Sequence, residues 1–342
     1  MTQEIIITAA EMQTTLQHIL LKQGFAHERA VQCAEVFTAN TVDGVSTHGI
    51  NRFPRFIQYI KDGLIDINAT PVLKSSFGGI EQWNGNLGPG ILNALQATER
   101  VMQLAKEHGI GCLALANTNH WMRGGTYGWK AAKAGFAFIG WTNTIANLPA
   151  WNAADSRLGN NPLVMALPYD EEAIVLDMAM SQFSFGAMEQ AQLKGEKLPV
   201  LGGYDINGQL TDDPTAIIQS KRPLPIGYWK GAGLALLLDV LAAVLSSGLS
   251  TQEISRQHSE HGVSQVFIAI DLSRLHHYSS IGSIIQDIIG HYHQSVPLHE
   301  SKQITFPGEM VLQKRKQHLQ NGIPVLAAIW QEVKGLYQPE GC

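Results

Sequence analysis

The chain has 342 residues, enough for one large domain or about two, with 45% hydrophobic residues and a formal net charge of -5. No basic run accompanies that charge, so the electrostatic footprint of a nucleic-acid binder is missing. Cys33, Cys112 and Cys342 are scattered without a CxxC pair, which argues against a disulfide framework or a cysteine zinc site and fits a reducing compartment.

Residues Met1 to Ala10 carry Glu4 and no basic segment, so they do not read as a secretory signal; Ile5-Ile6-Ile7 is a short run ahead of a helix. Thr8 and Glu11 have capping-box spacing, and Met12, Leu16, Ile19 and Leu20 give one apolar stripe up to a stop at Gly24. A second helix runs from about His27 to Asp43-Gly44 with Ala30, Cys33, Ala34 and Phe37 inward. Then comes the densest polar chemistry in the chain, Ser46-Thr47-His48-Gly49-Ile50-Asn51-Arg52-Phe53-Pro54-Arg55-Phe56. Histidine titrates near neutrality, so His48 can give up and recover a proton at cellular pH. A helix beginning at Gly49 places Arg52 about one turn beyond His48, anchored by Phe53, Phe56, Ile57 and Ile60 and closed at Gly63. The plainer reading is that His48 caps a helix and Arg52 is solvated. Residues 1–70 thus form a helical layer that delivers His48, and 71–342 form the remainder.

Two short strands flank Gly78-Gly79, and a long helix from about Ile91 stops at His108-Gly109. Apolar strands follow at Cys112 to Ala116, Phe136 to Trp141, Leu163–Pro168 and Ile174–Met178, with a helix through Trp129 to Ala132. Residues 195–228 are rich in Gly, Pro and Asp with little periodicity, as expected of a functional or arm-like segment. The stretch from Gly231 to Leu249 is the one membrane candidate; Asp239 at its middle and its glycines make it read as a buried helix. A strand from Gln265 to Asp271, a helix near Ile281–His291, a basic-amphipathic helix from Glu309 to Gln320 and a last helix after Pro324 complete the chain. Helices alternating with apolar strands predict an α/β fold, a large sheet flanked by helices.

Several constellations carry chemistry. Gly109-Ile110-Gly111-Cys112-Leu113-Ala114 matches a Rossmann fingerprint in spelling only, because it follows a helix and opens a strand. Asn119-His120-Trp121-Met122-Arg123-Gly124-Gly125 is a loop in which Asn119, His120 and Arg123 suit a carboxylate or hydroxyls; a surface loop around a packed tryptophan is the alternative. Trp141-Thr142-Asn143-Thr144 ends a strand with hydrogen-bonding side chains. Asp177 ends an apolar strand, where an acid is either a helix cap or a site acid. Trp229-Lys230-Gly231 opens an apolar helix and Pro307-Gly308-Glu309 another, both suited to phosphate or ribose. The thirteen histidines lack acids at ligand spacing, so no metal site is expected.

In order, Thr47-His48-Gly49, Asn119 to Gly125, Gly159-Asn160-Asn161-Pro162, Asp177-Met178-Ala179, Trp229-Lys230-Gly231 and Pro307-Gly308-Glu309 resemble the motifs of the type 2 malate/lactate dehydrogenase family. The resemblance spans nearly the whole chain. It implies a cytoplasmic homodimer with a mixed-sheet, non-Rossmann dinucleotide-binding fold that reduces a 2,3-diketo sugar acid with NADH; NADPH stays open, because spacing does not reveal ribose-reading residues. It implies His48 as proton donor, with His120 competing for that role; in the reduction so read, Arg52 would clamp the carboxylate, and His120 with Arg123, beside Asn119 in the same loop, the remaining oxygens. Thr144, the strand Ile174, Val175, Leu176, Asp177, Met178 and Ala179, then Trp229, Lys230, Gly308 and Glu309 would hold the cofactor. Thr47 departs from the usual serine; the hydroxyl survives and a methyl is added. Other 2-keto or imino acid reductases of the family, or a non-catalytic dinucleotide sensor, are the competing functions.

Overall fold

A computed structural model describes residues 3–299 and 303–337, which leaves Cys342 outside the described residues. Strand β1 (Glu4–Ile7) leads into α1 (Ala9–Lys22), whose first turn is capped by the Thr8 hydroxyl accepting the Glu11 N–H. α2 (His27–Val42) follows, then two 3-10 turns, Ser46–His48 and Ile50–Arg52, and α3 (Phe53–Lys61). The third helix therefore begins at Phe53, not Gly49. Pro54 is the reason: it lacks the N–H that a helix begun earlier would need at that position, but it suits a first turn.

The centre is a seven-stranded mixed sheet in the order β2-β3-β4-β12-β5-β8-β9. Its members are β2 (Val72–Phe77), β3 (Ile80–Asn84), β4 (Ile110–Thr118), β5 (Phe136–Thr142), β8 (Leu163–Tyr169), β9 (Glu172–Met178) and β12 (Val263–Asp271). Only β3 and β4 pair in parallel. The small strands β6 (Ala146–Pro149) and β7 (Ser156–Gly159) pair with each other. α4 (Gly90–His108) and α5 (Gly125–Lys133) cover one sheet face, burying Ala97, Val101, Tyr127 and Ala131 against Leu113, Phe138 and Phe267.

The stretch 195–228, expected to be irregular, is partly ordered. Behind α6 (Phe185–Lys194), capped by Ser184, come the β10–β11 hairpin (Gly203–Tyr204, Leu210–Thr211) and α7 (Pro214–Ser220), capped by Asp213. α8 (Trp229–Ser246) covers the other sheet face and corrects the expectation of a buried helix. Its small residues Ala232, Ala235 and Ala242, with Leu238, face the sheet, whereas Leu237 and Val244 are 58% and 68% exposed. Hydropathy alone cannot tell a sheet-facing stripe from an open one. Among the described residues α8 is the one helix long and apolar enough to cross a membrane by length and composition. Asp239 on it is no orphan: it accepts the Asn143 amide at 2.9 Å and the Thr251 N–H at 2.8 Å.

α9 (Thr251–Ser255), α10 (Ile281–His293), α11 (Glu309–Asn321), β13 (Ile323–Leu326) and α12 (Ala327–Gly335) complete the chain. β13 pairs antiparallel with β1, from Glu4 opposite Leu326 to Ile7 opposite Ile323. The core of the N-terminal layer, with Leu16, Phe37, Phe53 and Ile57, accordingly includes Ile323, Val325, Trp330 and Val333 from the other end of the chain.

Candidate active site

Buried polar groups at the end of α2 set the backbone of the His48 turn. The Asn40 amide donates to the His48 carbonyl at 3.0 Å, while its oxygen accepts from the Thr126 hydroxyl on α5 at 2.8 Å. The Thr41 hydroxyl accepts the Ile50 N–H at 2.9 Å. The half-buried His48 ring has Nδ1 3.3 Å from the Thr47 hydroxyl oxygen and stacks on His120, with centroids 5.7 Å and planes 19° apart. The Thr47 methyl is seated against α6, where a Cβ on Gly186 would fall 2.5 Å from it. The added methyl thus fills space that a glycine leaves.

His120 Nδ1 accepts the Met122 N–H at 2.9 Å, which fixes the neutral ring with its proton on Nε2. Both imidazoles are held neutral. Burial, then the charges of Arg52 and Arg123, push His48 down to about 4. Burial, then Arg52, His48 and Arg55, push His120 well below its ordinary value.

The three residues expected around the substrate separate. The Arg52 side chain makes no hydrogen bond or ion pair among the described residues, though the charges of Glu260 and Glu189 act on it, and with Asn119 and His120 it lines a narrow cavity against α3. Arg123 is 6% exposed and committed inside the protein: Nη1 is 2.5 Å from Asp43 and Nε 3.6 Å from Asp177. The Asn119 amide nitrogen donates to the carbonyls of Leu64, Leu87 and Gly88. Its donors fasten loops, which corrects their expected use on a substrate; only its buried, unpartnered oxygen remains. Asp43, which the sequence offers only as a helix stop, is the hub. Arg315 grips it from α11 at 2.7 and 2.9 Å while lying 4.7 Å over the Trp129 ring. A run of polar residues on the inward end of α2, Thr38 through Asp43, was the available signal.

Of the expected cofactor residues, Ile174 to Met178 lie on β9, the edge strand, and Gly308 and Glu309 on a turn packed against it, whereas Trp229 and Lys230 open α8 and Thr144 follows β5. β9 is the last strand, and its outer side is met at Val175, whose N–H donates to the Pro307 carbonyl at 2.9 Å. By strand alternation the Asp177 N–H faces the same edge. Asp177 is exposed as a residue although its side chain is only 22% exposed, so it presents main chain there. Its carboxylate turns inward to accept the Gly125 N–H at 2.8 Å; burial raises its pKa against the pull of Arg123 and that N–H. Gly308 (φ +98) brings the 307–309 turn within reach, since a Cβ would lie 3.2 Å from Trp129 and from the Val175 nitrogen. The buried Trp129 Nε1 beside it has no hydrogen-bond partner among the described residues. Glu309 accepts the Phe306 N–H and lies 3.0 Å from His293 Nε2, so the turn offers backbone more than carboxylate.

Beyond Met178 the chain joins the start of α8. The Ile226 N–H donates to Met180, and Trp229 and Lys230 stand exposed at the helix N-terminus, with Lys230 in no ion pair among the described residues. Lys230, the Trp229 N–H and the β9 edge around Asp177 form a donor set that suits a dinucleotide, while the Tyr228, Lys230 and Gly231 N–H groups already donate to the carbonyls of Pro225, Gly227 and Ile226. Thr144 is 7% exposed; its N–H donates to Asn161 and its hydroxyl to the Ile145 carbonyl, so its polar groups are spent inside the chain.

A helical layer bearing a histidine pair and an unpaired guanidinium, facing a non-Rossmann strand edge, defines a class. The chain belongs to the malate/L-lactate dehydrogenase family, whose model matches residues 7–334. It is an oxidoreductase, and that membership points to a nicotinamide dinucleotide as cofactor. Over 331 residues the chain is 42% identical to the 2,3-diketo-L-gulonate reductase of Citrobacter koseri, covering 96% of this chain and 99% of that one. A putative malate/lactate dehydrogenase from E. coli superposes with a TM-score of 0.91 at 26% identity, over 98% of this chain and 96% of the other. Malate dehydrogenase from Entamoeba histolytica shares the fold, with a TM-score of 0.92 at 23% identity over 98% and 97%.

Proposed function

We propose that this protein reduces 2,3-diketo-L-gulonate to 3-keto-L-gulonate with NADH. The observation that carries the reading is the unpaired Arg52 guanidinium beside the stacked His48 and His120 rings. An anionic keto acid supplies a carboxylate in contact with Arg52, which Glu260 and Glu189 influence without an ion pair, and a carbonyl oxygen for an imidazole. The identity to named diketogulonate reductases supports the choice of substrate.

The β9 edge from Ile174 to Ala179, the Gly308–Glu309 turn and the Trp229–Lys230 helix end would hold a nicotinamide dinucleotide, which would supply the hydride. Arg52 holds the carboxylate. His48 delivers a proton to the alkoxide oxygen as it develops, and the His120 Nε2–H is placed to stabilise the same negative charge. The ketone, one hydride and one proton balance to the alcohol.

A panel of keto acids followed by NADH absorbance tests this. 2,3-Diketo-L-gulonate is expected to give the largest kcat/KM, with NADH ahead of NADPH. A preference for pyruvate, oxaloacetate or a cyclic imino acid would move the protein to another reductase of the family. Thermal stabilisation by NADH without consumption of any substrate would make it a dinucleotide sensor.

The proposed working form is a cytoplasmic homodimer. The leucine and valine stripe of α8, Leu234, Leu237, Leu241 and Val244, is larger than the small residues it turns toward the sheet and needs a cover. A second copy of the same stripe is that cover, because an isologous contact is self-complementary. Light scattering should give the mass of two chains, and Leu237→Asp with Leu241→Asp the mass of one. A monomeric wild type would end the proposal.

A further inference from the structure

α3 carries a second guanidinium into the cavity that holds Arg52. Arg55 lies three residues on and Tyr59 one further turn beyond, so the three share one helix face. With 1.5 Å of rise per residue, Arg55 sits about 4.5 Å along the axis from Arg52, a step of about three or four carbon–carbon bonds. The row runs from the half-buried Arg52 beside His120 to the exposed Arg55. Arg55 Nη2 donates to the Tyr59 hydroxyl at 3.0 Å, with its guanidinium 5.4 Å from the centre of that ring. Tyr59 therefore accepts from Arg55 and keeps its own O–H to donate, while the remaining Arg55 N–H groups have no other partner among the described residues.

We propose that Arg55 and Tyr59 form a second subsite, beyond Arg52, that selects keto acids carrying a hydroxylated tail. This rests on the reading of the site as a keto-acid reductase. The Arg55 N–H groups and the Tyr59 O–H donate to hydroxyl oxygens, and the remaining lone pair of the Tyr59 oxygen takes a hydroxyl hydrogen, which a second carboxylate cannot supply. A three-carbon acid held by Arg52 ends before the subsite, so the subsite discriminates by length and polarity together.

The test uses non-reducible ligands with NADH present: L-gulonate, L-malate and L-lactate, their affinities read by titration calorimetry. The wild type should prefer L-gulonate to L-lactate. Arg55→Leu should lower that ratio by about tenfold or more, as expected for losing a charge-assisted hydrogen bond, and Tyr59→Phe by less. An unchanged ratio, or equal losses for both ligands, overturns the subsite. A loss confined to L-malate overturns the hydroxyl assignment and gives Arg55 to a second carboxylate. Because these affinities need no turnover, their failure is distinct from failure of the reductase reading, which shows as no NADH consumption by the wild type with any keto acid.

Discussion

Replacing His48 with alanine is expected to lower turnover by about two to four orders of magnitude, the usual worth of a positioned general acid, while stabilisation by NADH persists. The free ring titrates at about 4, so it is neutral at pH 6. An anionic substrate paired with Arg52 offsets both the burial and the guanidinium charge that depress it. Its pKa then rises on binding, so binding takes up a proton, and apparent affinity weakens as pH climbs through the raised value. An indicator dye in weak buffer at pH 6 should record uptake in the wild type and none in the alanine variant. Turnover near wild type in that variant would transfer the proton to His120, whose Nδ1 is tied to the Met122 N–H.

Asp43→Asn should cost about 3–5 kcal/mol of stability, the penalty for stranding buried charge. Both carboxylate oxygens are in use, one shared by Arg123 and Arg315 and the other taken by Arg315. The neutral amide leaves Arg123, 6% exposed, with only a distant Asp177 to balance it. A fall in the urea midpoint with unchanged slope reports that loss. The variant should also bind NADH more weakly, because Arg315 belongs to the helix that starts at the Gly308–Glu309 turn. A midpoint shift equivalent to less than about 0.5 kcal/mol would show that the hub is an ordinary surface-like contact.

Local signals made most of the scaffold legible. Thr8 caps α1 as its spacing implies, Gly24 and Gly63 end helices with positive φ, and the central strands fall where apolar runs place them. Partners distant in sequence were not legible. Ile5 to Ile7 shows no alternation and is a strand only because Ile323 to Val325 lies beside it. Arg123 and Asp43 are 80 residues apart, so the sequence displays a charge suited to a ligand and hides the carboxylate that already holds it. Asn119 is similar, an amide whose donors tie together two loops through the carbonyls of Leu64, Leu87 and Gly88. Arg52 differs in that no distant residue claims it. Nothing in the local sequence separates a guanidinium that the fold pairs from one that it leaves unpaired.

The pairing of the first strand with one near the C-terminus has a consequence for biosynthesis. A ribosome releases residue 4 long before residue 326, so the layer that carries the imidazole waits for the chain through Leu326 to emerge before its sheet can close. On the proposed mechanism, acid–base competence is therefore among the last properties the growing chain acquires, and a chain cut short of the closing strand is expected to keep the central sheet and lose the seating of His48.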